Sequence, residues 1–200
     1  MDKQSIVNHL KKWITRRNLV NGLFFAFLFL LLVNPSAKAL VIEGLMKLGL
    51  FQPDVSANAK QLTPPSEVNF MNEKGEMVSL SSLKGKVVFI NFWATWCPPC
   101  LAELPSINEL HKQLTDNKNI VFLMVDADNN LKKSSPFMAG HHYNLPVYRT
   151  VTAVPQEMMG NSIPTTVILN KQGQIAFHHE GAADYTNQKF ASYLKNLLEE

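Results

Sequence analysis

Lys86-Val87-Val88-Phe89-Ile90-Asn91-Phe92-Trp93-Ala94-Thr95-Trp96-Cys97-Pro98-Pro99-Cys100 is the stretch on which the reading of this 200-residue chain turns. Val87 to Trp93 is apolar at nearly every position, the pattern of a central strand buried on both faces. The stretch ends in the chain's two cysteines, where strand gives way to helix. Prolines are tolerated in a first helical turn, and Leu101, Leu104, Ile107, Leu110 and Leu114 recur every three or four residues. This spacing predicts a helix from Pro98 to about Asp116, kinked at Pro105.

Cysteines this close make a poor structural staple, because the bridge closes almost no loop entropy and a chain of this length buries a core without one. Their position suggests chemistry. At a helix start, free backbone N–H groups and the positive end of the helix dipole favour a thiolate, which makes Cys97 the candidate nucleophile. Cys100 sits one turn further along on the same side, placed to attack a mixed disulfide at Cys97 and release the partner as a dithiol. The alternative for Cys-x-x-Cys is zinc, but a structural zinc site takes four ligands and there is no second cysteine pair. The doublets His141-His142 and His178-His179 read as solvated surface histidines. No metal and no cofactor is expected.

Further out, strand-like and helix-like runs alternate in the manner of an α/β domain. Val68 to Met71 and Met77 to Leu80 flank Asn72-Glu73-Lys74-Gly75 as an N-terminal β-hairpin. Ile120 to Val125 reads as a second buried strand, Asn130 to about Tyr143 as a helix and Leu145 to Tyr148 as a short strand. Thr165 to Leu169 and Gln174 to His179 pair around Asn170-Lys171-Gln172-Gly173, and a closing helix runs from about Thr186 to Leu198.

The N-terminal third differs in character. Lys3, Lys11, Lys12, Arg16 and Arg17, against Asp2 alone, place the formal charge of +3 in the N-terminal tip. A nucleic-acid surface needs basic residues spread over a folded face, which this distribution argues against. Asn18 to Ala37 carries no charge, and its centre, Leu23 to Val33, is apolar on every helical face, long enough to span a bilayer. The flanking charges orient the tip toward the cytoplasm and the remainder outside. The expected organisation is a basic cytoplasmic segment at 1–17, a transmembrane signal-anchor at 18–37, a linker at 38–66 and a folded domain at 67–200. A cleavable signal peptide, cut after Ala39 at Ala37-Lys38-Ala39, is the competing reading. Leu40 to Phe51, apolar at helical spacing, either rests on the outer membrane surface or packs on the domain.

Residues Leu80 to Cys100, with Gly85-Lys86 before the strand and Trp96-Cys97-Pro98-Pro99-Cys100 after it, resemble the thioredoxin superfamily, and within it the membrane-tethered TlpA/ResA/DsbE-like proteins. The resemblance covers about residues 66 to 198. It implies a thioredoxin-like fold: a central mixed sheet flanked by helices, with the hairpin as an N-terminal extension and one transmembrane helix before it. Ile163-Pro164-Thr165-Thr166 is similar to the family's cis-proline loop opposite the cysteines, where the backbone of Ile163 would pair with an extended substrate and help set partner choice. Asn91 stands where cytoplasmic thioredoxins carry a buried aspartate. Glu103 matches the glutamate of the ResA-like branch and is the candidate acid/base for Cys100; otherwise it is a surface residue compatible with the helix dipole. Trp93 reads as core and Trp96 as a docking surface for a partner.

The resemblance implies a thiol:disulfide oxidoreductase on the outer face of a bacterial cytoplasmic membrane. It would reduce protein disulfides, with oxidised Cys-x-x-Cys-His apocytochromes among its partners, and be recharged by a transmembrane electron donor. Two rivals remain. A peroxiredoxin-like peroxidase needs Pro-x-x-x-Thr-x-x-Cys, and positions 90–97 have no proline and a misplaced Thr95. A Sco-like copper-binding assembly factor needs a wider cysteine spacing than this one.

Overall fold

In the computed structural model, residues 16–55 and 68–200 are described. The basic residues before Arg16 and the 56–66 part of the expected linker lie outside them. The elements in chain order are α1 (Arg16–Val33), α2 (Pro35–Lys47), β1 (Asn69–Asn72), β2 (Met77–Ser79), a 3-10 turn (Leu80–Leu83), β3 (Val87–Trp93), α3 (Pro98–Leu114), β4 (Ile120–Asp126), α4 (Leu131–Gly140), β5 (Val147–Thr150), α5 (Gln156–Met159), β6 (Thr165–Leu169), β7 (Ile175–Glu180) and α6 (Gln188–Glu199).

All seven residues of β3 are buried, because β3 pairs on both edges, in parallel with β4 and antiparallel with β6, and is covered on both faces. The seven-stranded mixed sheet runs β2-β1-β5-β4-β3-β6-β7. Alternate β3 side chains enter two apolar layers. Phe89 and Trp93 join Leu104 and Ile107 of α3 and Phe190 and Leu194 of α6 on one face. Val88, Ile90 and Phe92 join Phe70, Leu80, Leu83 and Met158 on the other. This is the α/β arrangement expected.

Differences from the expected bounds have local causes. The β5 strand lies further along than Leu145 to Tyr148 because Thr150 and Arg149 pair with Phe70 and Met71 of the hairpin, while Val147 pairs with Met124. The closing helix starts after Asn187, whose side chain accepts from the Phe190 N–H at 2.8 Å and caps it. Helix α4 stops at Gly140, short of Tyr143. His178 and His179 are half-buried on β7 rather than solvated.

The chain divides into two compact units between Lys38 and Ala39. In the first, α1 exposes apolar side chains on all sides, among them Leu23, Phe25, Phe29 and Leu32. The uncharged stretch 18–37 is not one helix. It breaks at Asn34, whose Oδ1 accepts from the Ser36 and Ala37 N–H groups. Among the described residues no single helix is long and apolar enough to cross a membrane; α1 and α2 pass that test only as a bent pair.

In the second unit, residues 39–47, placed in the linker by the sequence reading, are helical. Ala39 and Met46 are buried in the core layer that contains α3, and Ile42 packs against it, so this turn of chain belongs to the folded domain. Its outer side keeps Leu40, Val41 and Leu45 exposed, and Leu48, in the turn after it, is exposed too.

Candidate active site

The redox pair sits where β3 hands the chain to α3. Cys97 is the residue that caps α3: its backbone is extended and its Sγ accepts from the Cys100 N–H at 3.3 Å. Pro98 and Pro99 fill helical positions whose N–H groups would have had no helical acceptor. Cys97 and Cys100 form a disulfide, their Cα atoms 5.3 Å apart. Cys97 is 3% exposed and Cys100 is fully buried. On reduction, the same N–H and the helix start would stabilise negative charge on Cys97 rather than on Cys100.

The Ile163–Pro164 peptide is cis and opens β6, the antiparallel neighbour of β3. The Ile163 carbonyl oxygen lies 3.7 Å from Cys97 Sγ. The loop is clamped from β7: Glu180 Oε2 accepts from the Asn161 N–H at 3.1 Å and from Ser162 Oγ at 3.0 Å. Gly160, at φ +69°, leaves room for that carboxylate, which would stand 2.8 Å from a side-chain Cβ there.

Glu103 follows Cys100 by one helical turn and is not on the surface: it is fully buried. Oε1 accepts from Asn91 Nδ2 at 2.7 Å and Oε2 from the Ala183 N–H at 3.2 Å. Burial pushes its carboxyl up to about 8, against the opposing effect of these two hydrogen bonds. The register that sets Asn91 opposite Thr166 adds a second contact, Asn91 Nδ2 to Thr166 Oγ1 at 2.9 Å. Tyr185 Oη donates to the same Thr166 oxygen at 2.7 Å. Tyr185 is itself fully buried, which holds its hydroxyl neutral well above the usual phenol range.

Trp93 is buried, as read from its strand, whereas Trp96 is 57% exposed. The Trp96 indole N–H donates to Asp128 Oδ2 at 2.7 Å. That aspartate is presented by the turn after β4, where buried Asp126 accepts from the Asp128 and Asn130 N–H groups and Ala127 N–H donates to the Trp93 carbonyl.

The structure thus joins Cys97, Cys100, Ile163 and Pro164 in one place and Glu103 with Asn91 in another, one helical turn along. The sequence reading missed Asp128, Glu180, Thr166 as a ligand of Asn91, and Tyr185. One signal was present for Thr166: two adjacent polar residues, both buried, open an otherwise apolar strand.

Comparison with known proteins agrees with this geometry. The Redoxin family profile matches residues 53–197, and the chain belongs to that family. Among curated proteins, the thiol-disulfide oxidoreductase ResA of Bacillus cereus (strain ATCC 10987 / NRS 248) is 27% identical over 168 residues, covering 79% of this chain and 91% of that protein. ResA of Bacillus subtilis (strain 168) is 33% identical over 110 residues, covering 54% and 61%. Two solved structures share the fold. A thioredoxin-family thiol:disulfide interchange protein from Chlorobium tepidum TLS has a TM-score of 0.54 at 24% identity, covering 68% of this chain and 98% of that one. The thioredoxin domain of a thiol-disulfide oxidoreductase from Bacteroides vulgatus has 0.56 at 19%, covering 68% and 96%. With its Cys97–Cys100 disulfide, this chain is a TlpA/ResA/DsbE-like thiol:disulfide oxidoreductase of the thioredoxin superfamily.

Proposed function

We propose that the chain is a membrane-anchored, extracytoplasmic reductant of protein disulfides, using Cys97-Pro98-Pro99-Cys100 as its dithiol/disulfide switch. The observation that carries this reading is the Cys97–Cys100 disulfide at the start of α3, with the Ile163 carbonyl of the cis-proline loop 3.7 Å from Cys97 Sγ and the Glu103 carboxyl buried one helical turn after Cys100.

In the dithiol form the Cys97 thiolate attacks a substrate disulfide, forming a mixed disulfide and expelling one substrate thiolate. In molecules whose Glu103 is ionised, Cys100 passes its proton to that carboxylate, whose proton affinity burial brings near that of a thiol. The Cys100 thiolate then attacks Cys97 Sγ and expels the second substrate thiolate, so the substrate gains two electrons and the enzyme becomes the disulfide. Glu103 returns its proton to solvent or to the leaving thiolate. A transmembrane carrier presenting a dithiol restores the two electrons.

The Ile163 backbone and the exposed Trp96 face form the docking surface for an extended substrate, of which an oxidised Cys-x-x-Cys-His apocytochrome segment is the proposed example. Asp128 positions Trp96. Asp128→Ala should raise KM for a protein disulfide about fivefold, the worth of one modest hydrogen bond. Turnover of a small aromatic disulfide should stay unchanged; equal changes for both substrates would remove the docking role.

Anchoring is supported by α1, apolar and exposed on every side, and by the outward face of α2, where Leu40 is 68% and Val41 45% exposed while Ala39 and Met46 face the domain. A helix apolar all round is stable in lipid, and an outward apolar stripe suits the bilayer interface. One experiment tests site and location together. Right-side-out membrane vesicles bearing the full chain, reduced and washed, should reduce an added membrane-impermeant Cys-x-x-Cys-His disulfide peptide, with the activity sedimenting with the vesicles after a carbonate wash. Activity in the supernatant would sink the anchor, and an unreduced peptide would sink the substrate.

A further inference from the structure

Asn91 carries a buried oxygen with no hydrogen-bond partner among the described residues. The residue is wholly buried, and Nδ2 uses both its protons, one to Glu103 Oε1 and one to Thr166 Oγ1, while Oδ1 has no partner among the described residues. A buried acceptor without a donor is destabilising, and where one persists its use in a second state is the question to ask.

Glu103 has two states with opposite needs. A carboxylate only accepts, and here each of its oxygens has a donor, Asn91 Nδ2 on one and the Ala183 N–H on the other. A carboxylic acid must also donate, and with Nδ2 facing Oε1 a proton there has no acceptor. An amide is nearly symmetric in shape and opposite in polarity at its two ends. Turning the Asn91 amide by half a revolution puts Oδ1 where Nδ2 now stands. In that position it accepts both from the protonated Glu103 and from Thr166, whose hydroxyl accepts in the first state and donates in the second. Tyr185 Oη donates to Thr166 Oγ1 in both, and the turn brings the NH2 to the place Oδ1 held, so the unpaired group changes from acceptor to donor.

We propose that Asn91 is a two-position amide latch, its NH2 toward Glu103 when that residue is a carboxylate and its carbonyl toward Glu103 when that residue is an acid. It is a positioning residue: it acts through Glu103 and lets one buried site hold either protonation state. The groups that face Glu103 from the packed elements are Asn91 on β3, Thr166 on β6, and the Ala183 N–H and the neutral Tyr185 before α6; Cys100 lies one turn earlier on α3. An aspartate at position 91 would itself titrate beside Glu103, and an alanine would remove one of the carboxylate's two donors.

This inference deepens the acid/base reading of Glu103 and rests on Glu103 changing its protonation. The test uses the oxidised full chain in detergent micelles, with asparagine side chains labelled with 15N and glutamate carboxyls with 13C. Across pH 5 to 10, the Asn91 NH2 pair should show contacts to the Thr166 side chain above the Glu103 midpoint and lose them below it, both signals sharing one midpoint. In Glu103→Gln the Asn91 signals should not respond to pH. Contacts to Thr166 that persist while the Glu103 carboxyl titrates would overturn the latch. Asn91→Ala should raise the Glu103 midpoint by about one unit, and with it the pH at which the mixed disulfide resolves; lowered thermal stability with an unmoved midpoint would reduce Asn91 to a packing role. The acid/base reading fails separately, if Glu103→Gln resolves the mixed disulfide at the wild-type rate.

Discussion

Cys100→Ala should accumulate a stable covalent adduct between Cys97 and its substrate, and Cys97→Ala should lose disulfide exchange down to the uncatalysed rate. The two cysteines differ in chemistry because they differ in place. Cys97 caps α3 and accepts the Cys100 N–H, an arrangement that favours thiolate on the first sulfur; Cys100 is fully buried within the first turn. Removing Cys100 leaves the attack and deletes the resolution, since no other cysteine exists to displace the partner. The adduct should be visible on non-reducing gels, and mass spectrometry should find it on Cys97. Partners carrying Cys-x-x-Cys-His would support the apocytochrome substrate, whereas adducts with small thiols alone would contradict it. Residual turnover in Cys97→Ala would reverse the assignment of nucleophile. Neither change should cost much stability, because the bridge closes a very short loop.

Glu103→Gln should have the next largest effect, in two measurements. In kinetics, resolution of the mixed disulfide should slow by about 10²-fold or more at neutral pH, the usual worth of a positioned general base. In stability, the oxidised protein isolates the carboxyl, since disulfide-bonded cysteines do not titrate. The folded state holds the Glu103 proton up to about pH 8, the unfolded chain only to about the ordinary glutamate value of 4.5. Between these values the folded state binds the extra proton, so the contribution to stability is complete below 4.5 and is lost as pH rises through 8. The loss amounts to roughly 5 kcal/mol in order of magnitude. Urea unfolding of the oxidised wild type should therefore show a decline over that window that is absent in Glu103→Gln. Parallel pH profiles for the two proteins would mean that burial does not raise the Glu103 carboxyl, which would then be too weak a base to take a proton from Cys100.

Much of this site was legible before any coordinates. A seven-residue run apolar at every position but Asn91 reads as a central strand, and the cysteines at the strand-to-helix junction follow directly from it. Pro164 was legible only through resemblance, because nothing in a lone Ile-Pro pair distinguishes a cis bond from a trans one at a strand entrance. Glu103 was ambiguous for a physical reason: its helical position fits both a dipole-compatible surface residue and an inward acid. Which face of α3 meets the sheet depends on all of its apolar neighbours together, and that packing buried Glu103 completely.

Asp128 lies 32 residues from Trp96, Thr166 lies 75 from Asn91, and Ala183 lies 80 from Glu103. No local periodicity reports on pairs so far apart. Their meeting depends on strand register, since β6 slipped by one residue against β3 would turn Thr166 to the opposite face and leave Asn91 a single partner. The helix break at Asn34 and the docking of Ala39 and Met46 were likewise beyond a reading of uncharged length. By itself, then, the sequence determined the redox pair, the order of its two cysteines and the α/β frame, because these follow from short-range patterns of apolarity and helix ends. Tertiary structure alone decided the environment of Glu103, because proton affinity is set by burial and by hydrogen-bond partners that only the assembled sheet and helices bring together.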